Sequence, residues 1–218
     1  MGKKIIAVIP AFNEEKYIGE VVKETRQYVD EVIVVDDGSS DKTSQLAGEF
    51  GAIVLKHKIN LKKGAALKTG CEGAKLLNAD IIILLDGDGQ HDPKEIPLFL
   101  KKLKHTEIVF GVRNFNKEMP LNSRYGNIIL TTLSKILLKN KISDLLTGYK
   151  AFNTRIYNKI LWDSSDYSVE TEIIKNIKKY KIPCSEIRIK TIYNDPYKGS
   201  SISDGVNIAI NMAKWRLK

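Results

Sequence analysis

The chain has 218 residues, 43% hydrophobic and 28% charged, with a formal charge of +9 and a pI near 9.3. That length supports a substantial core in a single α/β domain, the charge favours an anionic partner, and two cysteines, Cys71 and Cys184, exclude a disulfide framework or a cysteine-rich zinc site. No apolar stretch reaches the roughly 18 residues of a membrane-spanning helix, and the opening apolar run breaks at Pro10 and Asn13-Glu14-Glu15 without a signal-peptide cleavage site, so the expectation is a cytoplasmic protein, soluble or peripheral to a membrane.

In chain order, the first half alternates short β-branched runs with segments whose apolar residues recur at helical spacing, the mark of βαβ units and a mainly parallel sheet. A strand at 5–9 leads into Pro10-Ala11-Phe12-Asn13-Glu14, which places an aromatic face, an amide and an acid at a strand tip, and a helix follows over 14–28. A second strand, 31–35, runs into Asp36-Asp37-Gly38-Ser39-Ser40-Asp41 and a helix over 42–50. Ser40 or Asp41 can cap that helix, which leaves Asp36 and Asp37 suited to hydrogen-bonding a base N–H or a ribose hydroxyl. A strand at 53–56 and a helix over 63–77 form a third unit.

The fourth strand, 81–85, delivers the most informative run: Asp86-Gly87-Asp88-Gly89-Gln90-His91-Asp92-Pro93. Two carboxylates one residue apart cannot both be buried without a counter-charge. A hard divalent ion, Mg²⁺ or Mn²⁺, takes oxygen ligands and is commonly shared between one or two carboxylates and a diphosphate. Asp86, Asp88 and the Gln90 amide oxygen are the candidate metal ligands, with Gly87 and Gly89 permitting close backbone approach. An Asp/Gly-rich turn is the plainer reading of the same residues. An EF-hand is excluded by Pro93 and Lys94 in the middle of its loop, and the lone His91 reads as a structural hydrogen-bonding group.

A helix over 94–104 and a strand at 108–111 complete the fourth unit. Right-handed crossovers then bring the strand carboxyl ends to one edge, where ligands bind in such sheets. The pattern changes afterwards. A helix over 122–140 carries Ile128, Ile129, Leu130, Leu133, Ile136, Leu137 and Leu138, a broad apolar surface that faces either the core or the plane of a membrane. Between residues 101 and 160 twelve basic residues face only Glu107, Glu118 and Asp144, so the positive charge is concentrated there. A helix at 168–180, a strand at 185–192 and a loop over 194–203 follow.

Pro10-Ala11-Phe12-Asn13-Glu14, Asp36-Asp37-Gly38-Ser39 and Asp86-Gly87-Asp88-Gly89-Gln90-His91-Asp92-Pro93 stand in the order and spacing of family 2 glycosyltransferases of the GT-A fold, which the chain resembles from about residue 4 to 202. Most similar are the polyprenyl- or dolichyl-phosphate mannose and glucose synthases, whose Asp-x-Asp-x-Gln-His-Pro run differs by the inserted Asp92. Val112-Arg113, Ser123-Arg124-Tyr125-Gly126-Asn127, Asp144, Thr147-Gly148-Tyr149-Lys150-Ala151-Phe152 and Glu172 add to the resemblance. It implies one glycosyltransferase domain, with residues 1–112 as the nucleotide-sugar half and 113–218 as the acceptor half. Pro10, Phe12, Asn13, Glu14, Asp36, Asp37, Lys63, Gly64, Asp86, Gly87 and Lys198 would hold the nucleotide-diphosphate sugar, and Asp86, Asp88 and Gln90 the metal. Arg113 and Arg124 would face phosphates of donor or acceptor. Lys198, in Tyr197-Lys198-Gly199-Ser200, stands where relatives carry arginine, which keeps charge and loses the bidentate fork.

Sugar transfer develops negative charge on the leaving diphosphate, which a metal at Asp88 and fixed cations stabilise. A polyprenyl phosphate acceptor is already ionised and needs no base; a hydroxyl acceptor needs one, for which Asp144 is the candidate, with a helix or turn cap as its other reading. The expected partners are therefore a GDP-mannose, UDP-glucose or UDP-GlcNAc type donor, a polyprenyl or dolichyl phosphate and an anionic membrane surface. A glycan-directed family 2 transferase is the alternative within enzymes. A nucleotide- or RNA-binding module fits less well, because acidic strand tips repel a polyphosphate and no RNA-binding aromatic signature is present. A Rossmann dehydrogenase fits less well still, since no G-x-G-x-x-G follows the first strand.

Overall fold

The computed structural model describes residues 2–113, 121–138, 140–192 and 202–217. Its centre is one seven-stranded sheet of order β3-β2-β1-β4-β6-β5-β7. The strands are β1 (Ile5–Ala11), β2 (Glu31–Asp36), β3 (Ile53–Lys56), β4 (Ile81–Leu84), β5 (Ile108–Arg113), β6 (Lys150–Asn153) and β7 (Cys184–Ile189). Strands β3, β2, β1 and β4 pair in parallel, as do β5 and β7, whereas β6 runs antiparallel to both its neighbours. The carboxyl ends of the six parallel-directed strands therefore share one edge, and β6 begins at that edge.

The continuous β-branched runs follow from burial on both faces. One face, with Ile6, Val8, Ile33, Val35, Ile82, Leu84, Ile108 and Phe110, packs on α3 (Lys63–Leu76), α6 (Tyr157–Ile160) and α7 (Val169–Lys179). Leu130 of α5 (Leu121–Leu138) and Ile208 and Met212 of α8 (Ile202–Leu217) join that same core. The opposite face, with Ala7, Ile9, Val32, Val34, Ile83 and Val109, takes α1 (Ile18–Thr25), α2 (Thr43–Glu49) and α4 (Ile96–Leu103). Successive residues alternate between the two cores, as the strand period of two requires.

The expected mainly parallel α/β sheet with helices on both faces is what the structure contains, and four details differ. The first helix is confined to Ile18–Thr25, with turns on either side. Pro93 starts a separate 3-10 turn, Pro93–Glu95, whose cap is Asp92: its carboxylate accepts from the Lys94 N–H at 3.0 Å. Strand β6 was not expected, and it separates β4 from β5. The loop reading of 194–203 overran at its end, since Ile202 and Ser203 begin α8; the remainder of that stretch lies outside the described residues. Among the described residues no helix is long and apolar enough to cross a membrane.

Candidate active site at the carboxyl edge

The tips of β1, β2 and β4 meet at the shared edge because their registers align: Ala11 lies beside Asp36, and Val8 beside Leu84. Phe12 presents 44% of its surface to solvent just past the β1 tip. Asn13 holds the next turn at a φ of 55°, its side-chain oxygen accepting from the Ser40 N–H at 3.0 Å and its own N–H donating to Ser39 Oγ at 2.9 Å. Asp36 and Asp37 are buried. Asp36 accepts from the Ser39 N–H at 2.8 Å and from the Ser44 hydroxyl, and lies 3.4 Å from Lys56 Nζ. Burial would raise its carboxyl, but these partners hold it below the ordinary value. Asp37 Oδ1 meets His57 Nδ1 at 2.6 Å and the Leu61 N–H at 2.9 Å, and His57 Nε2 reaches Thr69 Oγ1 at 3.0 Å. Both acids thus hold the edge loops in place. Neither Ser40 nor Asp41 occupies the cap of α2, which is Lys42 without a side-chain cap bond; Asp41, one residue earlier, accepts from the Thr43 N–H at 2.9 Å.

The loop after β4 is organised around Asp86. Its Oδ1 lies 2.7 Å from Lys63 Nζ, at the head of α3, and Lys63 also lies 3.2 Å from Glu170 Oε1. Burial raises the Asp86 carboxyl, yet the Lys63 ammonium overrides this and holds it well below the carboxylate range. The Asp86 N–H donates to His91 Nδ1 at 3.2 Å, which puts the ring proton on Nε2. Burial lowers His91 to about 4, so the ring is neutral, and it packs 5.0 Å from the Tyr149 ring. His91 is therefore a structural support beneath the loop. Asp88 accepts from the Gln90 N–H at 3.0 Å. Burial, the Asp86 charge and the Glu14 charge together push its carboxyl up to about 6. Negative charge is in excess at this point.

Strand β6 supplies the floor. Leu84 pairs with Lys150, so Gly148 and Lys150 are placed directly against Asp86. Lys150 is buried, donates to the Thr147 carbonyl and is pushed down by burial to about 8. A Cβ on Gly148 would overlap the Asp86 carboxylate. Gly148→Ala is accordingly expected to displace Asp86, weakening nucleotide binding about tenfold or more at a stability cost of about 1–3 kcal/mol, readable by calorimetric titration with a nucleoside diphosphate beside a thermal melt. Wild-type affinity in that variant would contradict the placement.

Beyond this cluster, Arg113 ends β5 and grips Asp144 bidentately, Nε to Oδ2 at 2.8 Å and Nη2 to Oδ1 at 2.9 Å, while Asn127 of α5 donates to Oδ1 at 2.7 Å. Asp144 is fully buried; burial raises its carboxyl, but Arg113 and Asn127 hold it below the ordinary value. Gly64 lies against the 164–165 backbone, where a Cβ would clash, and its carbonyl accepts from Trp162 Nε1 at 2.8 Å. Glu172 accepts from the Asp163 and Ser164 N–H groups, both at 3.1 Å, and pairs with Lys175. The Arg124 side chain and Lys198 lie outside the described residues. Sequence reasoning missed Glu170 and the placement of Lys150. For Glu170 the available signal was its position in the first turn of a helix beginning near 168, where a carboxylate is favoured by the helix dipole.

A family model described as glycosyl transferase family 2 matches residues 6–161. The chain is 32% identical over 235 residues to the UDP-N-acetylglucosamine–dolichyl-phosphate N-acetylglucosaminyltransferase of Methanococcus voltae, covering 95% of this chain and 92% of that protein. It is 38% identical over 214 residues to an uncharacterised protein of Methanocaldococcus jannaschii, covering 94% and 86%. Among solved structures, glucosyl-3-phosphoglycerate synthase of Mycobacterium tuberculosis with Mn²⁺, UDP and phosphoglyceric acid superposes with a TM-score of 0.74 at 20% identity, covering 99% of this chain and 78% of that one. That likeness shows the fold, the GT-A nucleotide-diphospho-sugar transferase fold. With its acidic strand tips in register at one edge and the family model spanning most of its length, the chain belongs to glycosyl transferase family 2.

Proposed function

We propose that the protein transfers a hexose from a nucleotide-diphosphate sugar to a polyprenyl phosphate of the dolichyl type, with Mg²⁺ or Mn²⁺, at the cytosolic face of a membrane. The observation that carries this is the Asp86-Gly87-Asp88 turn at the carboxyl edge, where two half-buried carboxylates stand close enough, together with Glu14, for burial and mutual repulsion to push Asp88 up to about 6. Those hard oxygen donors fit a divalent cation. Asp88, with Asp86 and Gln90, would hold it, and when bound it would supply electrostatic stabilisation of the departing diphosphate.

The chain's own residues do the rest. Phe12 offers a stacking face for the base, Asn13 and Glu14 line its edge, and Asp36 and Asp37 fix the loops around the ribose. Lys63 lends positive charge beside the diphosphate. Arg113, held by the bidentate Asp144, is the fixed cation facing a phosphate of donor or acceptor; Arg124 is assigned the same role and Lys198 the donor, both from the sequence alone. Because Asp144 has both oxygens engaged by Arg113 and is held below the ordinary carboxylate value, it is a poor proton acceptor. That favours an already ionised phosphate over a hydroxyl as nucleophile. The α5 and α8 surface is assigned as the membrane face, since Ile129, Ile136 and Val206 are exposed on these helices, as are Lys135 and Lys214. The Methanococcus relative's name favours UDP-GlcNAc among the donors.

The test is product formation from UDP-GlcNAc, UDP-glucose and GDP-mannose with a short polyprenyl phosphate and Mn²⁺, alongside flotation with anionic vesicles at low and high salt. Transfer to the lipid phosphate from one donor, with salt-sensitive flotation, is expected. Transfer only to a saccharide hydroxyl, with no vesicle binding, would overturn the acceptor assignment.

A further inference from the structure

Glu170 sits in the first turn of α7, 2% exposed, with Oε1 3.2 Å from Lys63 Nζ and Oε2 buried without a hydrogen-bond partner among the described residues. A buried carboxylate oxygen left unpaired is costly, and natural structures retain few of them. Lys63 Nζ is shared: Asp86 Oδ1 lies at 2.7 Å, Glu170 at 3.2 Å, and the Tyr167 ring centroid at 5.8 Å. Lys150 completes the cluster, its ammonium attracted by both Glu170 and Asp86. Two cations are thus set against two anions, of which Lys150 and Glu170 are buried and Lys63 and Asp86, the latter in the Asp-x-Asp turn, are half-buried.

We infer that Glu170 is a positioning residue of the transfer site, dividing the Lys63 ammonium with Asp86 so that the Asp86–Asp88 pair keeps enough net negative charge to accept a divalent cation. Without Glu170, Lys63 would keep only Asp86 of its two carboxylate partners, and the turn, with that ammonium drawn wholly onto it, would present less negative charge to a metal. With Glu170 in place, the cations serve two masters, and Lys63 can stay beside the diphosphate without displacing the metal. The helix dipole at the head of α7 keeps the Glu170 charge in place. This deepens the glycosyl-transfer reading and rests on it.

The test is Mn²⁺ affinity of the nucleotide-free and UDP-bound protein by electron paramagnetic resonance, in wild type, E170Q, K63Q and the K63Q/E170Q double variant, with circular dichroism to confirm folding. E170Q is expected to weaken Mn²⁺ binding about tenfold, K63Q to tighten it, and the double variant to return close to wild type, since both charges leave together. If E170Q does not fold, K63Q alone carries the test, and Mn²⁺ affinity left unchanged or weakened in K63Q would overturn the inference. A purely architectural Glu170 predicts instead that the double variant binds no better than the weaker single one. That result, or unchanged affinity in E170Q, would overturn the inference while leaving the transferase reading intact. Wild-type protein that takes up no Mn²⁺ with or without UDP would overturn the metal assignment and this inference with it.

Discussion

Asp88→Asn is expected to reduce sugar transfer by roughly 10²–10³-fold, the scale of losing one fixed electrostatic stabiliser, and at the same time to make the ligand-free protein more stable. The second effect follows from the carboxyl being pushed up to about 6 by burial and by its acidic neighbours. For a carboxyl raised in the folded state the penalty is absent below the unfolded value near 4 and complete above about 6. At pH 7 it amounts to about 1–2 kcal/mol after discounting for partial exposure, worth about 3–6 °C in a protein of this size. The asparagine variant should therefore melt higher than wild type at pH 7, lose that advantage as pH falls from 6 towards 4, and gain nothing from Mn²⁺ and nucleotide. Scanning calorimetry at the two pH values reads all three. Unchanged turnover, or a variant that melts lower at pH 7, would remove Asp88 from the site.

The largest stability effect is expected at Asp144. Removing its carboxylate leaves the Arg113 guanidinium, whose side chain is 15% exposed, without its bidentate partner, and strips Asn127 of its acceptor. Breaking a buried pair from one side costs about 3–5 kcal/mol, so Asp144→Ala should lower the urea midpoint by about 1–2 M. Because the folded-state carboxyl lies below its ordinary value, this contribution is complete above the unfolded value near 4 and is lost only as pH falls through the folded value. The destabilisation should thus be undiminished from pH 6 to 8. An unchanged midpoint would show that Arg113 finds another partner. Arg113→Lys, which keeps the charge and loses the fork, should fall between wild type and Asp144→Ala.

Strands β1, β2, β4 and β5 were legible because strands buried on both faces read as uninterrupted apolar runs, the half-exposed edge strand β3 was legible from its β-branched residues alone, and the acidic tips were legible because the runs of β1, β2 and β4 lead into carboxylates. Strand β6 was not legible: Lys150-Ala151-Phe152-Asn153 is four residues long, and its terminal lysine and asparagine look exposed although all four are buried. Only the pairing with β4 and the proximity of Asp86 and Glu170 make a buried lysine tolerable there. Helix α8 carried a signal that went unread, apolar Ile208, Met212 and Trp215 at the i, i+4, i+7 spacing of one helix face. Within Ser168-Val169-Glu170-Thr171-Glu172, the family resemblance singled out Glu172. The structure gives Glu172 to a local loop and Lys175, and gives Glu170 to Lys63, because two positions along a helix turn a side chain toward a different neighbour.

The antiparallel placement of β6 beside β5 has an evolutionary corollary. The chain leaves β5 at Arg113 and re-enters the sheet at Lys150 one strand over, so everything between, α5 included, is topologically the tip of a long hairpin. Its two ends are pinned together by the Arg113–Asp144 clasp, and the entropy of closing such an excursion grows only slowly with its length. Insertions, deletions or wholesale exchange of that excursion can change what approaches the site while the strands that carry Asp36, Asp86 and Lys150 stay where they are. On the proposed function, acceptor preference would reside in that exchangeable excursion, and donor binding in the strands that frame it.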